Sequence, residues 1–414
     1  MRARHLKYFL QFSEQAEIAL RGPAQIGWQA RLHDEHENVH TALEWADKTD
    51  VETGLYICGN FGQFWEEFNL SEGNRWLPKF TQKPESLTYP HARAKALCAL
   101  AWSLQWMEQF DQARAVAQEC LDLYRSCGDK YGEIDALTLL GTISNWQVLS
   151  DMDLFKQALS QAQSLKDTWR QAHILSRMGQ LVGSYEKRVS YWEKAISLFR
   201  KAGDLFMVCG FTIHLANFEM AWGHTESARI RLNDALHLNQ EKSLGGEKNL
   251  YFLSILGRIS SIHGDFKQAR VYLQGAINIS EDQGHRMNTL WLRTKLGHLA
   301  LHEGSVDEAL DLFAETAPDF QKDTNLDGAV FTLEGLAGYY VIVSKFNKAA
   351  RLIGWTDATR EKIGDTRPLL EQSDVDKIIA TCVARMGEVE FSDAYEEGQK
   401  MTLDEAVAYA LKES

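Results

Sequence analysis

The sequence predicts an all-α chain of stacked helical hairpins, and three observations carry that expectation. Only 6 of the 414 residues are Pro, so long helices run without the ring clash and lost N–H that would end them. Hydrophobic residues make up 45% and charged residues 24%, the balance of a chain with a large buried core. The third observation is internal repetition. Gly257, Gly297 and Ala337 stand 40 residues apart, as do Ala269, Ala309 and Ala349, and a fixed period of this size marks a repeat architecture.

From the amino terminus, Phe9, Phe12 and Ala16 fall on one helical face, Gly22-Pro23 breaks that helix, and Trp28, Leu32, Leu43 and Trp45 continue on a second. Residues 1–90 are therefore expected to form a helical region ahead of the repeats. Residues 91–356 hold about seven copies. Leu100-Ala101 with Phe110-Asp-Gln-Ala113 opens the first, Leu140-Gly141 marks the second, and residues 171–202 carry another with a shortened turn around Gly183 to Lys187. Leu215-Ala216 with Gly223 and Ala228 fits the same frame. Leu256-Gly257 with Ala269, Leu296-Gly297 with Ala309, and Leu336-Ala337 with Ala349 complete the series. Residues 357–414 are expected to form a helical cap, its last helix opened by a capping box of Thr402 and Glu405.

The repeat has a physical logic. A small residue in the first helix lets the second approach closely, and a small Ala early in the second receives the first. One hairpin cannot cover its own apolar face, so neighbours stack. Small residues at these offsets, each preceded by Leu, resemble tetratricopeptide repeats over about 94 to 356, at a spacing longer than the usual ~34. The resemblance implies a right-handed superhelix with a concave groove.

The flanks carry a second resemblance. Arg4-His-Leu-Lys-Tyr-Phe, Leu20-Arg-Gly-Pro, Glu35-His-Glu-Asn-Val-His-Thr-Ala-Leu-Glu-Trp-Ala and Leu70-Ser-Glu-Gly-Asn-Arg-Trp-Leu lie at one end. Ala349-Ala-Arg-Leu-Ile-Gly-Trp, Glu361-Lys-Ile-Gly, Met386-Gly-Glu, Phe391, Gly398 and Met401-Thr-Leu-Asp-Glu-Ala-Val-Ala-Tyr-Ala-Leu411 lie at the other. Both resemble the tetratricopeptide arms of STAND-type signal-transduction ATPases, including bacterial transcriptional regulators. The phosphate-binding loop of those ATPases, G-x-x-x-x-G-K-[ST], finds no match in this sequence. Gly245-Gly246-Glu-Lys248 has the wrong spacing and reads as an inter-repeat turn. The resemblance thus implies the sensor arm without the ATPase and DNA-binding modules.

A formal charge of −13 argues against nucleic acid and against an anionic membrane surface as partners. No stretch of about 18 apolar residues is present, and the amino-terminal segment meets Gln11, Glu14 and Glu17 where a secretory signal needs an apolar core. The six Cys lack a Cys-x-x-Cys pair and read as reduced thiols of a cytoplasmic protein.

The one enzymatic motif is His36-Glu37-Asn38-Val39-His40, which fits H-E-x-x-H. Two His at i and i+4 share a helical face and suit zinc, Glu37 would polarise a bound water, and Glu66 or Glu67 would complete the ligands. The related arms keep an acidic residue after the first His but not the second His, so the resemblance accounts for the motif without metal. The expectation is therefore a helix face, with no catalytic residue, no metal and no cofactor. No G-x-S-x-G elbow is present either.

Binding residues follow from the groove. In a tetratricopeptide hairpin, positions one or four to five past the small residue of the first helix point into it. That rule selects Trp102, Gln105 and Trp106, then Thr142, Asn145 and Trp146, then Gln180, Asn217 and Arg258, and finally His298 and His302, with Trp291 near the start of the same helix. Indole rings interleaved with amides and Arg suit a peptide backbone or a sugar face. The function expected is a non-enzymatic arm that binds a protein, peptide or small effector and relays the event to an ATPase or DNA-binding module. The alternatives are an autonomous protein-interaction scaffold and a zinc hydrolase using His36, Glu37 and His40.

Overall fold

The computed structural model describes residues 2–68, 70–107, 109–146, 152–242, 246–282 and 284–412, and among them regular structure is helical, without a strand. The chain divides into two compact units, Met1–Phe211 and Thr212–Ser414.

Unit 1 begins with six helices: α1 (Arg2–Ala19), α2 (Gln25–Asp34), α3 (His36–Thr49), α4 (Val51–Asn60), α5 (Gly62–Phe68) and α6 (Leu70–Thr81). The apolar face of α1 is buried through Leu6, Phe9, Phe12 and Ala16, and α1 packs on α3 and α4. The helix expected through Trp28 to Trp45 is two helices. At Glu35 the backbone flattens to ψ 3°, and its N–H closes α2 on Arg31 and His33; no Gly or Pro announces this break. Three hairpins follow: α7 (Pro90–Trp106) with α8 (Phe110–Cys127), α9 (Lys130–Trp146) with α10 (Met152–Ser164), and α11 (Thr168–Leu181) with α12 (Tyr185–Ala202). Helix α13 (Leu205–Ala221) spans the division between the units.

Unit 2 continues with α14 (Thr225–Lys242), then pairs α15 (Gly246–Ile262) with α16 (Phe266–Asp282), α17 (Arg286–Glu303) with α18 (Val306–Lys322) and α19 (Leu326–Ile342) with α20 (Phe346–Ile363). It closes with α21 (Leu369–Met386), α22 (Glu388–Gln399) and α23 (Leu403–Leu411). The capping box at Thr402 and Glu405 is formed. Helix α23 lies against α18, α19 and α20, and the Tyr340 hydroxyl donates to the Ala410 carbonyl at 2.5 Å.

The small residues sit where the helices of a hairpin meet. A Cβ on Gly141 would come within 2.6 Å of Phe155, on Gly179 within 2.5 Å of Trp192, on Gly257 within 2.8 Å of Leu273, and on Gly297 within 2.7 Å of Phe313. Each large partner is buried, which stabilises the hairpin by roughly 1.5–3 kcal/mol per side chain. The turns leaving α12 and α17 end on Gly203 and Gly304 at φ 83° and 80°, the left-handed conformation that Gly adopts without Cβ strain. Among the described residues no helix is long and apolar enough to cross a membrane.

Candidate functional site

The 40-residue period sets equivalent positions side by side on the first helices of unit 2. Arg258 of α15 and His298 of α17 are equivalent, and with His302 they line one cavity that Lys295, Glu371 and Asp374 also line. All but His302 of these polar groups are half-buried, and they find partners. Lys295 Nζ donates to Ser254 Oγ at 2.9 Å. The His298 ring stacks on Phe331 with centroids 4.2 Å apart, and its Nε2 lies 2.9 Å from the Phe331 carbonyl oxygen. Trp291 stacks on the same Phe331 ring at 5.9 Å and meets Phe320 edge-on at 5.5 Å.

The carboxylates of this cavity come from α21. Glu371 Oε1 stands 3.5 Å from Arg258, and Asp374 Oδ2 stands 3.4 Å from His302 Nε2. Behind them Glu334 of α19, with its side chain 4% exposed, holds both Arg360 and Arg367. Burial pushes Lys295 down to about 7, and the charge on Arg258 adds to the effect. Burial likewise raises Glu371. For Asp374 burial acts upward, but hydrogen bonds from His302 and Lys377 outweigh it and hold the group down at about 2. Burial lowers His298 as well, although its contact with the Phe331 carbonyl opposes this.

In unit 1, Trp102 lines a cavity with Lys95, Asp135, Trp169, His173 and Arg177. Gln105 is buried one turn further along α7, and Trp106 is exposed at the end of that helix. Thr142 is buried and donates to the Thr138 carbonyl at 2.8 Å. The side chains of Asn145 and Trp146 lie outside the described residues, as do those of Glu66 and Glu67. Gln180 and Asn217 are exposed. The structure therefore brings Arg258, His298 and His302 together, places Trp102 in a separate cavity, and sets Trp106, Thr142, Gln180 and Asn217 outside the linings of both.

His36 and His40 share one face of α3 as spaced, beside Trp76 and Glu72. The Glu72 carboxylate accepts from Trp76 Nε1 at 2.9 Å, and His40 meets the Trp76 ring edge-on at 5.2 Å. Among the described residues no group of three or more His, Cys, Asp or Glu is placed to share a metal ion. Gly245, in the Gly-Gly-Glu-Lys segment, lies outside the described residues.

These positions can be set against known proteins. Residues 93–126 match the tetratricopeptide repeat family. The match covers hairpin α7/α8, which carries Lys95 and Trp102. A comparison with curated protein sequences finds no match. Among solved structures, a Rap protein complexed with competence and sporulation factor is similar at TM-score 0.57 and 13% identity, over 88% of this chain and 98% of that one. A STAND protein with a tetratricopeptide repeat sensor from Pyrococcus horikoshii is similar at TM-score 0.54 and 12% identity. It is covered over only 55% of its length, while 88% of this chain takes part. Aspartyl phosphate phosphatase F from Bacillus subtilis is similar at TM-score 0.54 and 13% identity, over 86% of this chain and 95% of that one. At such identities the likeness is one of fold, and it makes the all-α, tetratricopeptide-like hairpin architecture the fold of this chain.

Sequence reasoning missed Lys295, Glu371 and Asp374 in unit 2 and His173 and Arg177 in unit 1. A usable signal existed. Lys295 and Arg177 both stand two places before the small residue of their helix, Gly297 and Gly179, while Lys95, Asp135, His173 and Trp291 all stand six places before theirs. Those offsets extend the one, four and five stripe toward the helix N-terminus at the period of 3.6. The rule as applied read only half of each helix face.

Proposed function

We propose that the chain is a non-enzymatic binding arm that takes up a protein, peptide or small effector on the inner faces of its hairpins. It passes that event to an ATPase or DNA-binding module of a bacterial, cytoplasmic signalling system. The division into a helical region at 1–90, repeats at 91–356 and a cap at 357–414 belongs to the same proposal. The observation that carries it is the convergence of Arg258, His298 and His302 on one cavity lined also by Lys295. Arg258 and His302 are met by Glu371 and Asp374 of a single later helix, α21. A ligand that offers its own acceptors to Arg258 and His302 competes with α21 for them. Binding then shifts the position of α21 by the difference in affinity for its two arrangements. The tetratricopeptide repeat sensor of the Pyrococcus STAND protein and the complex of the Rap protein support this reading by analogy of fold.

A native mass spectrum of the purified chain and of Arg258→Ala tests the proposal. The expected result is a ligand held at one per chain by the natural protein and lost from the variant. Retention of the same ligand by Arg258→Ala and His302→Ala alike would remove the cavity from the account.

A further inference from the structure

In unit 1, Arg21 follows α1 and lines the cavity that holds Trp102, Trp169, His173 and Arg177. We propose that this cavity binds a compact oxyanion, a carboxylate or phosphate group carried by a ligand, through the guanidinium groups of Arg21 and Arg177. The site lies in unit 1 and does not rest on the unit 2 reading.

Three observations lead there. The first is a continuous aromatic array. The His173 ring stacks on Trp169 at 5.2 Å and meets Trp102 at 5.8 Å. Each indole carries a guanidinium on its face, Arg21 over Trp169 and Arg177 over Trp102, both at 4.8 Å. Stacking fixes the plane of each guanidinium and so the direction in which its edge donates.

The second is the charge count. Among the described residues, the two carboxylates that line the cavity are engaged. Asp135 is held by Arg170 through two bonds of 2.7 Å, and Glu17 gives one oxygen to Lys95 at 2.6 Å. Its other oxygen is 3.9 Å from Arg21, beyond hydrogen-bond reach. Arg21 Nε is buried without an acceptor, a condition that native interiors avoid unless something outside the chain completes it. Arg177 Nε donates to His173 Nε2 at 3.4 Å.

The third observation is the field inside the cavity. Burial and the charges of Arg177, Arg21 and Arg170 together push His173 down to about 3, against the opposing pull of Asp135. Burial accounts for the largest part of that shift; the part that comes from the guanidinium charges reports a positive field, and that field favours an anion.

The test is calorimetric titration of the full chain with sodium phosphate and, separately, sodium succinate, at fixed total ionic strength in chloride. Arg21→Gln and Arg177→Gln are each expected to weaken binding about tenfold, the loss of one charge-assisted hydrogen bond. Arg177→Lys keeps the charge and retains binding better than Gln, which separates a lost contact from a misfolded variant. Arg229→Gln, which removes an exposed charge paired with Glu226, leaves the titration unchanged. Phosphate binding alone supports the site and assigns it a phosphorylated ligand; succinate binding alone supports it and assigns a carboxylate. No heat from either anion, or undiminished binding in both Gln variants, overturns the proposal.

Discussion

Replacing Glu334 by Ala removes the one carboxylate that holds two buried guanidinium groups behind the unit 2 cavity. Glu334 Oε1 accepts from Arg360 Nε at 2.9 Å and from Arg367 at 3.0 and 2.7 Å, and its Oε2 accepts from Arg360 at 3.1 Å. The side chains of Arg360 and Arg367 are 9% and 7% exposed, so water cannot replace the lost acceptor. Breaking a buried ion pair from one side costs about 3–5 kcal/mol. Arg360 keeps Asp365, and Arg367 keeps Asp357 at 2.6 Å, which sets the expectation at the lower end, about 3 kcal/mol. In a unit of roughly 200 residues each kcal/mol moves the midpoint by about 2–4 °C. The unit 2 transition should therefore fall by roughly 6–12 °C. Differential scanning calorimetry of Glu334→Ala beside Glu334→Gln reads this directly, with Gln expected between Ala and the natural protein because it keeps one acceptor. A fall of less than about 2 °C for Ala would refute the reasoning, since it would mean the two Arg find equal partners without Glu334.

Three further outcomes follow from the same unit. Gly354→Ala sets a Cβ against the backbone carbonyl of Tyr395, where α20 and α22 touch. The helices must separate, at a cost of about 1–3 kcal/mol in urea unfolding, and an unchanged midpoint would count against that contact. Lys295 sits at about 7 in the folded chain, below the usual ~10.4. Between about pH 7 and 10 the unfolded chain keeps a proton that the folded chain releases, so this site's penalty is complete below about 7 and fades as pH rises. Lys295→Met should thus raise Tm most near pH 6 and least near pH 10, and a difference independent of pH would contradict the burial of the ammonium. Asp374 at about 2 has the opposite sense. Its stabilising effect is present above the unfolded value of about 4 and lost as pH falls through about 2. Asp374→Asn should accordingly be destabilised at pH 6 and converge with the natural protein near pH 2 in denaturant titrations.

The hairpins were legible because each one writes its closest contact into the sequence as a small residue. Gly257 and Gly297 recur at 40 because Leu273 and Phe313 need the space that a Cβ would fill. The break at Glu35 was not legible, since a flattened ψ at a residue with ordinary side-chain chemistry leaves no compositional mark. The site was half legible. Arg258, His298 and His302 were found from a local rule within one helix. Glu371 and Asp374 were not, because their contacts join positions more than 70 residues apart, from His302 to Asp374 and from Arg258 to Glu371, and a repeat frame that ends before α21 has no register for them. Arg21 escaped for the same reason: it precedes the repeats yet stacks on Trp169 within them.

The most direct test of the binding account is site-specific photo-crosslinking. A benzophenone side chain at Ile262, 39% exposed on the lining of the unit 2 cavity, is compared with the same group at Val271, 59% exposed on α16 and outside that lining. Irradiation in extract of the source cells is expected to give one discrete adduct from position 262 that Arg258→Glu abolishes, and none from 271. An adduct from 271 alone, or one from 262 that persists in Arg258→Glu, would contradict binding on the inner face.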